Sequence, residues 1–271
     1  MVQFSNLFVV YDPTSEEQPA LQRAANIAEQ ISAGVHVFAC IHSGAEPSAD
    51  KSTEAKRLLA RQRDILARAV APLSDRGIEV STEVEWDTDW YQAVVRASLK
   101  NAADMVLKST FKHSSGERLL NKTSDWTLIR ECLCPVLLVK ERVPREIPRV
   151  LAAIDICAKK GSYERLNQSI IDVSKQLLEN KFAEVHFVNA FEDFKGIPDK
   201  QELIREYGIE SDKIHIKMGK PEKVIVKCAK KLDVSLVVVG NSARSGLPAA
   251  LHGNTVEKVL DKLKCDVLSM P

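Results

Sequence analysis

Near the C-terminal end, the apolar run Leu236-Val237-Val238-Val239 stops at Gly240 and passes into Asn241-Ser242-Ala243-Arg244-Ser245-Gly246. After six intervening residues the chain reads Gly253-Asn254-Thr255 and enters an amphipathic segment. The order is buried strand, glycine-rich loop and helix start. Glycines let a backbone approach a ligand closely, and the first N–H groups of a helix have no partner within it. Such a junction suits an anion, and a phosphate above all. The motif is not a Walker A loop, which would need a lysine at its end, and it is not GxGxxG.

Other residue types carry less chemistry. His252 adjoins Gly253, and Ser242 and Ser245 lie in the loop, but they form no recognisable triad. The histidines at 36, 42, 113, 186 and 215 have no metal-ligand spacing. Cys132-Leu133-Cys134 is not CxxC, and all six cysteines lie in or beside apolar runs, as small buried hydrophobes do. No catalytic residue and no metal site is expected. The formal charge of +1 argues against a nucleic-acid groove or a polybasic membrane anchor. No apolar run reaches the ~20 residues that cross a bilayer, and the N-terminus lacks a signal-peptide pattern, so a cytoplasmic location is expected.

The elements that must position the loop come from a duplication. Asn6-Leu7-Phe8-Val9-Val10-Tyr11-Asp12 matches Arg149-Val150-Leu151-Ala152-Ala153-Ile154-Asp155. Val35 to Phe38 echoes Val185 to Val188, Ala103 to Leu107 echoes Val234 to Val238, and Leu133 to Leu137 echoes Lys264 to Leu268. The first-strand aspartates are 143 residues apart but the final cysteines only 131, so the second copy is shorter inside. The long amphipathic helix expected at 49–74 has only a short counterpart near 199–207. Copy one is read as strands 4–11, 34–41, 78–86, 104–108 and 135–140, with helices 17–32, 49–74, 89–101 and 123–131 between them. Copy two is read as strands 149–155, 183–190, 212–218, 235–239 and 265–270, with helices 161–179, 199–207, 221–232 and 254–263. This alternation predicts, in each copy, a five-stranded, mainly parallel sheet with helices on both faces. The domains are 1–142 and 148–271, joined by a charged segment with Pro144 and Pro148. Ligands in such sheets bind at the strands' carboxyl ends, where Asp12, Asp155 and Gly240 lie.

These motifs resemble the universal stress protein family over nearly the whole chain, and most closely its tandem E subfamily. That family has an aspartate closing its first strand and a Gly-x2-Gly-x9-Gly-Ser/Thr loop. Here the loop reads Gly240, Ala243, Gly253 and Asn254. The resemblance implies an adenine nucleotide, ATP with Mg²⁺, in the second copy. Asp155 would meet the ribose, and Val188 and Val239 would line the adenine slot. Gly240, Ala243, Arg244, Gly253, Asn254 and Thr255 would hold the phosphates. Ala243 in place of glycine resists a positive φ by ~1–2 kcal/mol, and Asn254 in place of Ser/Thr still caps.

In copy one, Lys108 is read as standing where the first glycine should be, either imitating a cation or pairing with Asp12. Thr123-Ser124-Asp125 is read as an N-cap, and Trp126 as a core or interface anchor. Copy one is therefore expected to bind no nucleotide. The family's pairing through last strands implies an internal pseudo-dimer of Val136–Val139 with Val267–Met270, and leaves a homodimer open. The function expected is a stress-response ligand sensor or adaptor with at most slow ATP hydrolysis. The alternative is a carrier of an apolar or lipid-like molecule, motivated by the missing long helix of copy two.

Overall fold

A computed structural model describes residues 4–42, 51–110, 118–140, 147–156, 161–193, 197–241 and 255–271. They fall into two compact units, within residues 3–141 and 142–271. In the first, strands β1 (Asn6–Tyr11), β2 (Gly34–His42), β3 (Val80–Asp87), β4 (Met105–Ser109) and β5 (Val136–Val139) alternate with helices α1 (Pro19–Ile31), α2 (Lys51–Asp75), α3 (Trp90–Lys100) and α4 (Arg118–Glu131). The second contains β6 (Arg149–Ala153), β7 (Glu184–Phe191), β8 (Ile214–Met218), β9 (Leu236–Gly240) and β10 (Asp266–Met270), with α5 (Ser162–Glu179), α6 (Lys200–Tyr207), α7 (Pro221–Leu232) and α8 (Thr255–Leu260).

Within the first unit the strand order is β3-β2-β1-β4-β5, and within the second β8-β7-β6-β9-β10, every pairing within a unit being parallel. The chain starts in the middle of each sheet, builds one side, then crosses back to build the other. Right-handed crossovers then place the first two helices on one face and the last two on the opposite face. α3 packs on α4, and α7 on α8. The central strands are covered on both sides, so they read as unbroken apolar runs: Leu7, Phe8 and Val9 in β1, and Val237 and Val238 in β9, have no exposed surface. Each such side chain contributes roughly 1.5–3 kcal/mol through burial.

Helix ends follow local chemistry. Pro19 and Pro221 open α1 and α7, where a missing N–H costs nothing. Asp199 caps α6 by accepting from the Gln201 amide, and Gly208 closes the helix in the left-handed conformation. α4 begins at Arg118, five residues before the expected start. Thr123, Ser124 and Asp125 are therefore inside the helix, and the expected N-cap is not there. β6 ends at Ala153, so Asp155 stands two residues beyond its strand.

The outer strands of the second sheet are joined by a polar cluster that the 29-residue separation of its two histidines hides in the sequence. His186 Nδ1 lies 3.1 Å from His215 Nε2, with the rings stacked at 5.2 Å. His186 Nε2 is 3.2 Å from Glu184, whose carboxylate also accepts from Arg149 and Lys213. Those two cations hold the Glu184 carboxyl down at about 2. Burial pushes both histidines below their ordinary value of 6.5, against the pull of Glu184 on His186, while Lys217, Lys200 and Lys231 add to the lowering at His215.

The first unit has a simpler version. His36, also lowered by burial, contacts Ser81 at 2.7 Å and faces Glu83 at 3.5 Å. All three histidines are lowered on folding, so below about pH 6.5 the unfolded chain binds more protons at these positions than the folded chain does. Melting temperature should therefore fall as pH drops from 7.5 to 5. A second loss should follow below pH 4.5, where unfolded Glu184 protonates and folded Glu184 does not. His215→Phe should flatten the first limb, and differential scanning calorimetry across pH reads both.

Candidate functional site

The switch in strand order lies between β6 and β9 in the second unit, and their carboxyl ends open a crevice there. The registers Ala152–Val238 and Ala153–Val188, continued past β6, bring Gly240, Ile154 and Asn189 to one level. Asp155 is the next residue up.

Its backbone is held by α5. The Asp155 N–H donates to Asn167 Oδ1 at 3.0 Å, and Asn167 Nδ2 donates back to the Asp155 carbonyl. Below it, the Ile154 N–H donates to the Val188 carbonyl at 3.0 Å. The Ile154 carbonyl accepts from Asn189 Nδ2 at 2.9 Å. Four hydrogen bonds thus fix two residues after their strand has ended. Val188 and Val239, 1% and 3% exposed, lie in the core immediately beneath. Thr255 opens α8. Ala243, Arg244, Gly253 and Asn254 lie outside the described residues.

Gly240 has a packing role. A Cβ built there would stand 2.5 Å from Leu166 Cδ2 and 2.6 Å from its Cγ. The room left by the missing side chain is filled by α5, which can then approach the end of β9 closely enough for Asn167 to reach Asp155.

The first unit repeats the clamp with different residues. Gln18 Oε1 accepts from the Asp12 N–H at 3.1 Å, and Gln18 Nε2 donates to the Asp12 carbonyl at 2.8 Å. Register shows that Lys108 corresponds to Val239, and that Ser109 is the counterpart of Gly240. Assigning Lys108 to the glycine position was therefore one residue out, because β4 continues to pair through polar side chains. Ser109 Oγ accepts from the Ala20 N–H at 3.0 Å and so satisfies the start of α1. Lys108 does not pair with Asp12. Its Nζ lies 2.7 Å from Asp125 of α4, both side chains being 14% exposed, and sits 5.6 Å from the Trp90 ring centre. The Asp12 carboxylate is turned onto its own loop, accepting from Thr14 N–H and Oγ at 2.8 and 2.6 Å. Trp126, 7% exposed, is a core residue.

Two substitutions test this division of roles. Gly240→Ala should cost about 1–3 kcal/mol by overpacking, and much less in a Leu166→Ala background, as read by urea unfolding. Lys108→Met should cost about 3 kcal/mol by stranding Asp125, and the double change Lys108→Met with Asp125→Leu should recover most of it.

Among the described residues no group of three metal-ligating side chains is present, and no helix is long and apolar enough to cross a membrane. A match to the universal stress protein family covers residues 3–140 and 161–271. Universal stress protein E of Photorhabdus laumondii is 28% identical over 300 residues, spanning 100% of this chain and 96% of that one. A universal stress protein E homolog of Haemophilus influenzae is 27% identical, spanning 99% and 98%. A crystal structure of a Pseudomonas aeruginosa PAO1 protein of unknown function is similar at a TM-score of 0.75 and 28% identity, over 98% of this chain and 92% of that one. A universal stress protein of Archaeoglobus fulgidus shares the fold at a TM-score of 0.76 with 17% identity, over 99% and 97%. Two matched copies in one chain and full-length likeness to these relatives agree: the chain belongs to the universal stress protein family, as a tandem member of the universal stress protein E type.

Proposed function

We propose that this chain is a cytoplasmic stress-response module that senses an adenine nucleotide in its second unit and uses the first as a ligand-free scaffold. The observation that carries the reading is the contrast between the two crevices. In the second, the end of β9 offers the apolar Val239 and Gly240, which has no side chain, beside Asp155, and the chain re-enters a helix at Thr255. In the first, the crevice contains its own ion pair, Lys108 with Asp125, and Asp12 is engaged by Thr14.

ATP is the nucleotide this reading assigns. The Asp155 carboxylate would accept from ribose hydroxyls, Val188 and Val239 would floor the base, and Gly240, Ala243, Arg244, Gly253, Asn254 and Thr255 would hold the phosphates, as the family motif implies. Arg244 adds positive charge there. Mg²⁺ would arrive on the phosphates, as it commonly does. Reduced thiols fit the compartment: the described cysteines form no disulfide, and burial pushes the Cys40 thiol up to about 11.

Titration calorimetry of the full chain with ATP and Mg²⁺ should show one site per chain. Asp155→Ala should weaken it by about tenfold or more, the equivalent of one charge-assisted hydrogen bond, and Asp12→Ala should leave it unchanged. No heat and no thermal shift at millimolar ATP would overturn the reading. A co-purifying lipid in native mass spectrometry would then favour an apolar ligand.

A further inference from the structure

Asn189 has a property that packing alone does not account for. It is 2% exposed, and its amide is used on one side only. Nδ2 donates to the Ile154 carbonyl at 2.9 Å, whereas Oδ1 is buried with no hydrogen-bond partner. A buried acceptor left unpaired costs about 1–3 kcal/mol, so a folded chain seldom keeps one without a use. The position matters as much as the vacancy. Register puts Asn189 level with Ile154 and Gly240, at the rim of the crevice and one residue from Val188.

The first unit isolates the feature. Val37 and Phe38 correspond to Phe187 and Val188, so the counterpart of Asn189 is Ala39, an apolar residue with no exposed surface. The fold therefore does not need an amide here. The amide belongs to the unit in which the apolar Val239 stands at the position of Lys108. The Nδ2 bond to Ile154 also settles the orientation of the amide, because the donor end is committed and the acceptor end remains for a guest.

We infer that Asn189 is a specificity residue of the second crevice, whose Oδ1 accepts a hydrogen bond from the exocyclic amine of a purine base. This rests on the nucleotide reading above and adds to it the feature of the base that is read. Asp155 is an acceptor suited to ribose hydroxyls, which leaves the base edge to Asn189. A site built around a buried acceptor rejects an analogue lacking the donor much more strongly than an apolar pocket would.

The test compares ATP with the triphosphate of purine riboside, which lacks only the 6-amino group, by calorimetry on the full chain. The wild-type chain should prefer ATP by about tenfold or more, and Asn189→Ala should reduce that preference to within about twofold, mainly by weakening ATP. A wild-type chain that binds both nucleotides equally overturns the inference while leaving the nucleotide site intact. So does an Asn189→Ala chain with native circular dichroism and undiminished preference. Absence of binding by either nucleotide overturns both readings together. If Asn189→Ala does not fold, the wild-type side-chain amide resonances of Asn189 decide the matter. They should shift further with ATP than with the triphosphate of purine riboside, and equal shifts with both would overturn the inference.

Discussion

A parallel strand that ends beside a switch in strand order leaves backbone groups that no neighbouring strand can pair. Both units meet this constraint with a side-chain amide, Gln18 immediately before α1 on Asp12 and Asn167 within α5 on Asp155. A primary amide offers a donor and an acceptor at the spacing of a peptide group, so it serves as one more rung of the sheet. Backbone groups buried without partners are rare for this reason. The position of each aspartate, and with it the shape of each crevice, depends on that rung.

With the clamp in common, the units diverge in what stands around it. Ser109 satisfies the start of α1, whereas its counterpart Gly240 has no side chain and admits Leu166. Lys108 brings a charge to the face that Val239 leaves apolar, and Asp125 and Trp90 gather around it. Ala39 is replaced by Asn189. None of these exchanges disturbs the sheet, because each alters only which side chain occupies a fixed backbone position. The duplication has kept its frame and changed its contents.

Much of the frame was legible in the residues. Apolar β-branched runs gave strand positions to within one or two residues, since burial on both faces requires them. The start of α4 was not, because Arg118-Leu119-Leu120-Asn121 follows the polar stretch Lys112-His113-Ser114-Ser115-Gly116-Glu117, which reads as loop, while Thr123-Ser124-Asp125 offers a competing cap-like sequence further on. The exchange of Lys108 for Ser109 as the partner of Gly240 was an error of register, and register depends on backbone pairing that side-chain types reveal only in part. The clamps were also hidden, since a glutamine just before a helix or an asparagine in its second turn is ordinarily a cap or a solvated residue. One signal was available: Asn189 interrupts an apolar strand at the position where the other copy has alanine. The loop residues from Ala243 to Asn254, where the resemblance was most specific, lie outside the described residues.

The two clamps close rings of different size. Gln18 follows its aspartate by six residues, and Asn167 follows by twelve. Closing a flexible loop of twice the length costs only about 0.6 kcal/mol more in chain entropy. The bond between aspartate and amide therefore fixes the two ends of the segment and leaves its length nearly unconstrained. At the mouth of the crevice, insertions and deletions are thermodynamically cheap, so the rim can be lengthened or cut back without moving the aspartate below it.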